Sequence, residues 1–222
     1  MNEFESPSAD RTRPPRIILG SASPRRRELL GEAGVEFAID RPDVDESLAE
    51  GISPEAAACE LAERKARAVA ARHTNDDAIV LAADTIVALE LPAAPGLPPR
   101  VVLLGKPADE REAAEMLGSL SSSRHCVVTG VSAIHTRHGV AHTACERTWV
   151  TMRAISPSEI QAYVESGEWR DKAGGYAIQE TADQFVTKLE EGGLDNVVGL
   201  PVQLSLALLE RARSLAGPSA TG

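Results

Sequence analysis

Between Arg16 and Gly217 short β-like runs alternate with helical ones, and that alternation restricts the chain to an α/β architecture. Arg16 to Leu19 is a short apolar run ended by Gly20, and a helical pattern follows from Pro24 to about Ala33. Ser53-Pro54 supplies an N-cap and a first helical residue for a long helix to about Arg72. Ala78 to Leu89, AIVLAADTIVAL, is strongly β-like. The Pro/Gly-rich stretch Leu91 to Arg100 turns into Val101 to Leu104, which predicts a hairpin with a long, mobile loop. Ala113, Met116, Leu117 and Leu120 then fall on one helical face.

His125 to Ile134 and Val140 to Met152 flank the turn Arg137-His138-Gly139. Ser156 to Glu159 fits a capping box before a helix that Gly167 ends. Two β-like runs, around Tyr176-Ala177-Ile178 and from Gln184 to Leu189, precede a last helix from Pro201 to Leu215. Hairpins among these runs make the sheet mixed. Met1 to Pro15 reads as a disordered leader, residues 16–217 as one domain and residues 218–222 as a loose tail.

Of 222 residues, 43% are hydrophobic and 25% charged, enough to predict a sizeable core. No apolar run approaches the roughly 20 residues that span a bilayer, and the acidic leader is no secretory signal. Cys59, Cys126 and Cys145 lack close pairing, which predicts a reducing, cytoplasmic location. The formal charge of −10 argues against nonspecific binding of nucleic acid or anionic membrane. If such a protein binds an anion, the cations responsible must be concentrated in one place.

Ser23 and Pro24 are good N-cap and N1 residues, so Arg25, Arg26 and Arg27 occupy a first helical turn. Positive charge there opposes the helix dipole by a few tenths to about 1 kcal/mol per residue. The conflict vanishes if an anion binds between amides, serine hydroxyls and guanidinium groups; a solvated arginine cluster is the alternative. Lys65 lies on the apolar stripe of Ala58, Leu61, Ala62 and Val69. It either snorkels to solvent or reaches into a cleft. Asp84, beside Thr85 in the β-like run, must be paired, hydrogen-bonded or metal-bound if buried. It reads as a turn-capping carboxylate, a general base or a metal ligand. Gly105-Lys106-Pro107 is not a Walker A loop, and no GxGxxG occurs. His135, His138 and His142 suit an exposed hairpin tip better than a metal site.

SASPRRRELL (Ser21 to Leu30), VDE (Val44 to Glu46), LAERKA (Leu61 to Ala66), AADTIV (Ala82 to Val87), GKP (Gly105 to Pro107), HCVVTGV (His125 to Val131), DKAGGYAIQ (Asp171 to Gln179) and NVVGLP (Asn196 to Pro201) occur in this order. Together they resemble the Maf family of nucleoside triphosphate pyrophosphatases, in its dTTP/UTP-selective branch. The resemblance implies a two-lobed fold like that of inosine triphosphate pyrophosphatases, with a long mixed sheet and a cleft between lobes. It implies a nucleoside triphosphate substrate, a divalent cation such as Mg²⁺ and, often, a homodimer.

On this chain the resemblance assigns the proton acceptor to Asp84 and selectivity to Arg25, Thr85 and Gln179. Ser21, Ser23, Arg26, Glu46, Lys65 and Lys106 fall in the substrate cleft, and Glu46 with Asp84 would hold the metal. Arg25 stands where the branch acting on methylated guanosine nucleotides carries a bulky aromatic. The leader and the long Pro-rich hairpin depart from the compact pattern. A regulator of septum formation that binds nucleotide without turnover is the second reading.

Overall fold

The computed structural model describes residues 14–91 and 100–214. The leader through residue 13, residues 92–99 of the loop expected between Leu91 and Arg100, and the expected tail lie outside the described residues. Among those described, no helix is long and apolar enough to cross a membrane.

A seven-stranded mixed sheet organises the chain. Its strands are β1 (Arg16–Leu19), β2 (Phe37–Ile39), β3 (Ala78–Leu91), β4 (Arg100–Leu104), β5 (Arg124–His135), β6 (Ala141–Met152) and β7 (Val186–Glu190). The order is β2-β1-β3-β5-β6-β7, with β4 also paired to β3. β1 runs parallel to β2 and β3, and the β3–β4, β3–β5, β5–β6 and β6–β7 pairings are antiparallel.

One edge of β3 is shared by two strands, and this split creates the site. β1 pairs with Ala78 to Leu81 and β4 with Val87 to Leu91. Between them, Ala82 to Ile86 carry no strand on that edge, while β5 pairs continuously along the other. β1 and β4 both end at this gap, so the loops that follow them converge on it. Clefts in open α/β sheets form where strand ends part in this way.

Alternation along β3 distributes its side chains between two faces. On one face Leu81 and Ala83 join Ile17, Leu19, Leu30, Leu208 and Leu209 in a core under α1 (Pro24–Glu32) and α6 (Val202–Ser214). Further along the same face, Val87 and Leu89 join a second core with Leu117, Leu120, Tyr163 and Phe185, from α3 (Glu110–Leu120), α4 (Pro157–Ser166) and the approach to β7. These two cores are the lobes, and the gap in β3 lies between them. Each large side chain buried there contributes roughly 1.5–3 kcal/mol. On the other face a single long helix, α2 (Pro54–Ala70), covers both ends of β3 through Ala57, Ala58, Leu61, Ala66 and Val69.

Ser53, Ser156 and Gly167 cap their helices as expected, Gly167 with a left-handed φ of 74°. The run Tyr176-Ala177-Ile178, expected as a strand, is not one. Gly174 and Gly175, at φ 68° and 72°, turn the chain there, and the Ala177 amide donates to the Tyr163 hydroxyl (3.3 Å) instead of to a ladder. β2 and the short helix α5 (Leu194–Val198) are too brief for periodicity to reveal. His135 is fully buried at the end of β5, not exposed at a hairpin tip; its ring packs against that of His138, centroids 4.6 Å apart.

Candidate active site

The chain enters the site through the end of β1. Gly20 N–H donates to Leu81 O (2.8 Å), prolonging the ladder by one residue before the backbone turns. Ser21 Oγ accepts from Ser23 N (3.2 Å), and Ser23 Oγ caps α1 by accepting from Arg26 N (3.4 Å), with Pro24 in the first turn. That turn holds no acidic residue, so the three arginines stand unneutralised at the positive end of the helix. Arg27 is exposed, whereas Arg25 and Arg26 are half-buried and line a cavity of about 390 Å³. Arg25 Nε is buried there without a hydrogen-bond partner among the described residues.

Arg26 braces the gap in β3. Its Nε donates to Gly199 O (2.7 Å), one terminal nitrogen to Ala83 O (2.8 Å) and the other to Thr85 Oγ1 (3.1 Å). Ala83 O points toward the unpaired edge of β3, so Arg26 satisfies a carbonyl that a neighbouring strand would otherwise bind. Thr85 Oγ1 is also 2.9 Å from Thr129 Oγ1, which donates to Asn196 O (2.8 Å). Burial lowers the Arg26 guanidinium below its ordinary value against the pull of Asp84, but an arginine keeps its charge through such a shift.

Asp84 alternates to the α2 face, where Lys65 waits on the buried stripe of that helix. Lys65 Nζ lies 2.5 Å from Asp84 Oδ1 and 2.6 Å from Glu46 Oε1. The lysine does not snorkel to solvent: it bridges two carboxylates, which is how a buried ammonium is compensated. For Glu46, burial works against ionisation, but the Lys65 hydrogen bond and the charges of Lys65, Lys106 and Arg26 outweigh it and hold the carboxyl below its usual range. No other hydrogen bond reaches the Asp84 carboxylate among the described residues, so Oδ2 can accept from a molecule in the cavity.

The ten residues that the family resemblance assigned to the site all line this one cavity: Ser21, Ser23, Arg25, Arg26, Glu46, Lys65, Asp84, Thr85, Lys106 and Gln179. Lys106 follows the end of β4, and Gln179 stands exposed at the cavity wall. The loops carrying them are joined where Gly174 N–H donates to Gly105 O (2.9 Å). The cations and carboxylates gather around the gap in β3. Val87, Val127, Ile178, Val197 and Val198 give the cavity an apolar portion. Asp171, Lys172 and Tyr176 also line it, although residue-by-residue reading singled out none of them. Their only sequence signal is membership in the DKAGGYAIQ segment.

The sequence profile described as "Maf-like protein" matches residues 16–212, the stretch that builds this cavity. The chain belongs to the Maf family. Among Maf relatives it is 47% identical over 196 residues to a protein of Myxococcus xanthus named dTTP/UTP pyrophosphatase, covering 88% of this chain and 92% of that one. It is 44% identical over 198 residues to a Deinococcus radiodurans protein of the same name, covering 89% and 93% of the two chains. A Symbiobacterium thermophilum protein, also named dTTP/UTP pyrophosphatase, is 43% identical over 194 residues, covering 87% and 92%. The Maf motifs read in the sequence thus lie on elements that converge on a single cavity.

Proposed function

We propose that this Maf protein is a nucleotide pyrophosphatase that hydrolyses dTTP or UTP to the monophosphate and pyrophosphate. The observation that carries the reading is the convergence of Arg25, Arg26, Lys65 and Lys106 with Asp84 and Glu46 in one cavity that also has an apolar portion and Gln179 on its wall. Relatives at 42–47% identity carry the name of this activity.

Phosphoryl chemistry of this kind depends on positioning and charge neutralisation more than on covalent steps. The amides and Ser21 and Ser23 hydroxyls at the start of α1, with the four cations, bind the triphosphate. Lys65 fixes Asp84 through Oδ1, and Oδ2 accepts the proton of the water that attacks the α-phosphorus. Arg26 keeps the edge of β3 open and presents Thr85 to the cavity. Gln179 offers a donor and an acceptor, which suits the N3–H and O4 edge of uracil or thymine.

The donor set fits a divalent cation such as Mg²⁺. Among the described residues no group of three or more His, Cys, Asp or Glu could hold a metal by itself. Glu46 and Asp84 would supply hard oxygen donors to such an ion, with substrate phosphate completing its shell, as suits Mg²⁺. When bound, such an ion supplies charge neutralisation and polarisation of the phosphate. A cytoplasmic location, supported by the free thiols of Cys59, Cys126 and Cys145, and a homodimer, which rests on the family resemblance, belong to the same reading.

A product-resolved screen of nucleoside triphosphates with Mg²⁺ tests it. Pyrophosphate and monophosphate should appear from UTP and dTTP faster than from CTP or GTP. Orthophosphate would indicate a terminal phosphatase, and tight binding without products would favour the septum regulator.

A further inference from the structure

The segment that carries Gln179 is closed at its base by two pairs of contacts that no role above uses. Residues 173–179 supply Ala173, Tyr176, Ala177, Ile178 and Gln179 to the cavity. On the near side of that stretch, Glu168 Oε2 accepts from Thr181 N (3.0 Å) and Oε1 from Thr181 Oγ1 (2.6 Å). One turn later, Lys172 Nζ donates to Glu180 Oε2 (2.6 Å) and also to Glu168 O. Residues 168–172 thus grip residues 180–181, and the cavity wall is the loop held between them.

Lys172 is the unusual member. It is 8% exposed and lines the cavity, yet its ammonium is directed to Glu180 and a backbone carbonyl. Burying an ammonium is costly unless it is paired, and Glu180, the residue next to Gln179, is the carboxylate that pairs it. Glu180 itself lies outside the cavity, with its side chain 40% exposed. The loop has no strand to hold it: it contains Gly174 and Gly175 at positive φ, and its amides bond to Gly105 O, Lys172 O and the Tyr163 hydroxyl. An ion pair that ends one residue from Gln179 therefore restrains the backbone from which that side chain projects.

We infer that Lys172 and Glu180 form a clasp that positions Gln179 against the base, making both of them positioning residues for base selection. The inference rests on the proposed pyrophosphatase reading for its substrate, but the clasp itself has a physical readout independent of turnover.

The test compares Glu180→Ala, Lys172→Met and the double variant with the full wild-type chain. Amide hydrogen exchange across residues 173–179 should rise in all three. With Mg²⁺ present, each should raise KM for UTP and lower the UTP-over-CTP preference by roughly tenfold, the size of effect expected from misplacing one specifying contact. In Glu180→Ala, kcat for UTP should change by less than about threefold, because Glu180 touches no reacting group. The double variant should be no less selective than Glu180→Ala, since both substitutions remove one interaction.

Four results would overturn the inference. Unchanged exchange in residues 173–179 would show that the pair holds nothing. A fall in kcat with base preference kept would make the pair a general stabiliser. Selectivity lost in Lys172→Met but kept in Glu180→Ala would mean that Lys172 contacts substrate directly. Additive losses in the double variant would also break the single-clasp account. If the wild type releases no pyrophosphate from any triphosphate, the proposed function fails instead, and the exchange measurement alone decides whether the clasp exists.

Discussion

Gly130 is the direct cross-strand partner of Asp84, and the backbone of helix α2 rests upon it. A Cβ at Gly130 would overlap the backbone of Ala58 and Cys59, so only glycine lets the helix approach the sheet this closely. Two turns on from Ala58, the same face of α2 carries Lys65, whose Nζ meets Asp84 at 2.5 Å. The depth of one helix over one glycine therefore sets the geometry of the charged centre.

Gly130→Ala should push α2 outward and separate Lys65 from Asp84. Overpacking of this kind costs about 1–3 kcal/mol, and misplacing a reacting group by an ångström can cost on the order of 10² in rate. Thermal melts and pyrophosphate release measured together check this. Wild-type turnover at wild-type stability would show that α2 is not held by this contact.

Asp84→Asn should lower kcat by on the order of 10² or more, because the proton acceptor is gone. Lys65 would keep Glu46 as a counter-ion at 2.6 Å, so the variant should remain folded with a Tm close to that of the wild type. Near-wild-type turnover in a folded Asp84→Asn variant would remove Asp84 from the chemistry.

Gln179→Ala removes an exposed side chain, so stability should not change. Discrimination among UTP, CTP and GTP should fall, since a contact that pairs one base edge is lost. Relative kcat/KM values for the three nucleotides provide the check, and unchanged ratios would rule out base reading by Gln179.

His125 gives the fold a specific acid sensitivity. It is fully buried, with Nε2 2.8 Å from the Tyr176 hydroxyl, and burial pushes its pKa down to about 4. Between the unfolded value near 6.5 and about 4, the unfolded chain binds a proton that the folded one does not. The stabilising contribution is therefore present above pH of about 6.5 and lost as pH falls toward about 4, on the order of 3 kcal/mol in all. Urea titrations across that window should show the loss in the wild type. In His125→Gln that component should be missing; an unchanged pH slope would assign it to other groups.

Much of the site was legible in the sequence because its signals are local. Ser23-Pro24 marks a helix start, and the three arginines after it oppose the helix dipole, a conflict that a bound anion relieves. Lys65 on an apolar stripe and Asp84 in a β-like run were each conspicuous for burial they could not afford alone. That the two neutralise each other depends on β3 and α2 meeting in space, which no spacing reveals. The brace made by Arg26 likewise joins Gly199 and Ala83, residues far apart in the chain. Gln179 carried no physical signal and came only from the family resemblance. Tyr176 to Ile178 misled because apolar residues in a cavity wall look like a strand, and the two glycines before them were the better guide.

Hydrolysis in water labelled with heavy oxygen tests the central claim most directly. If Asp84 directs water at the α-phosphorus, the label should enter the monophosphate released from UTP and leave the pyrophosphate unlabelled. Label in the pyrophosphate, or orthophosphate as the product, would contradict the account.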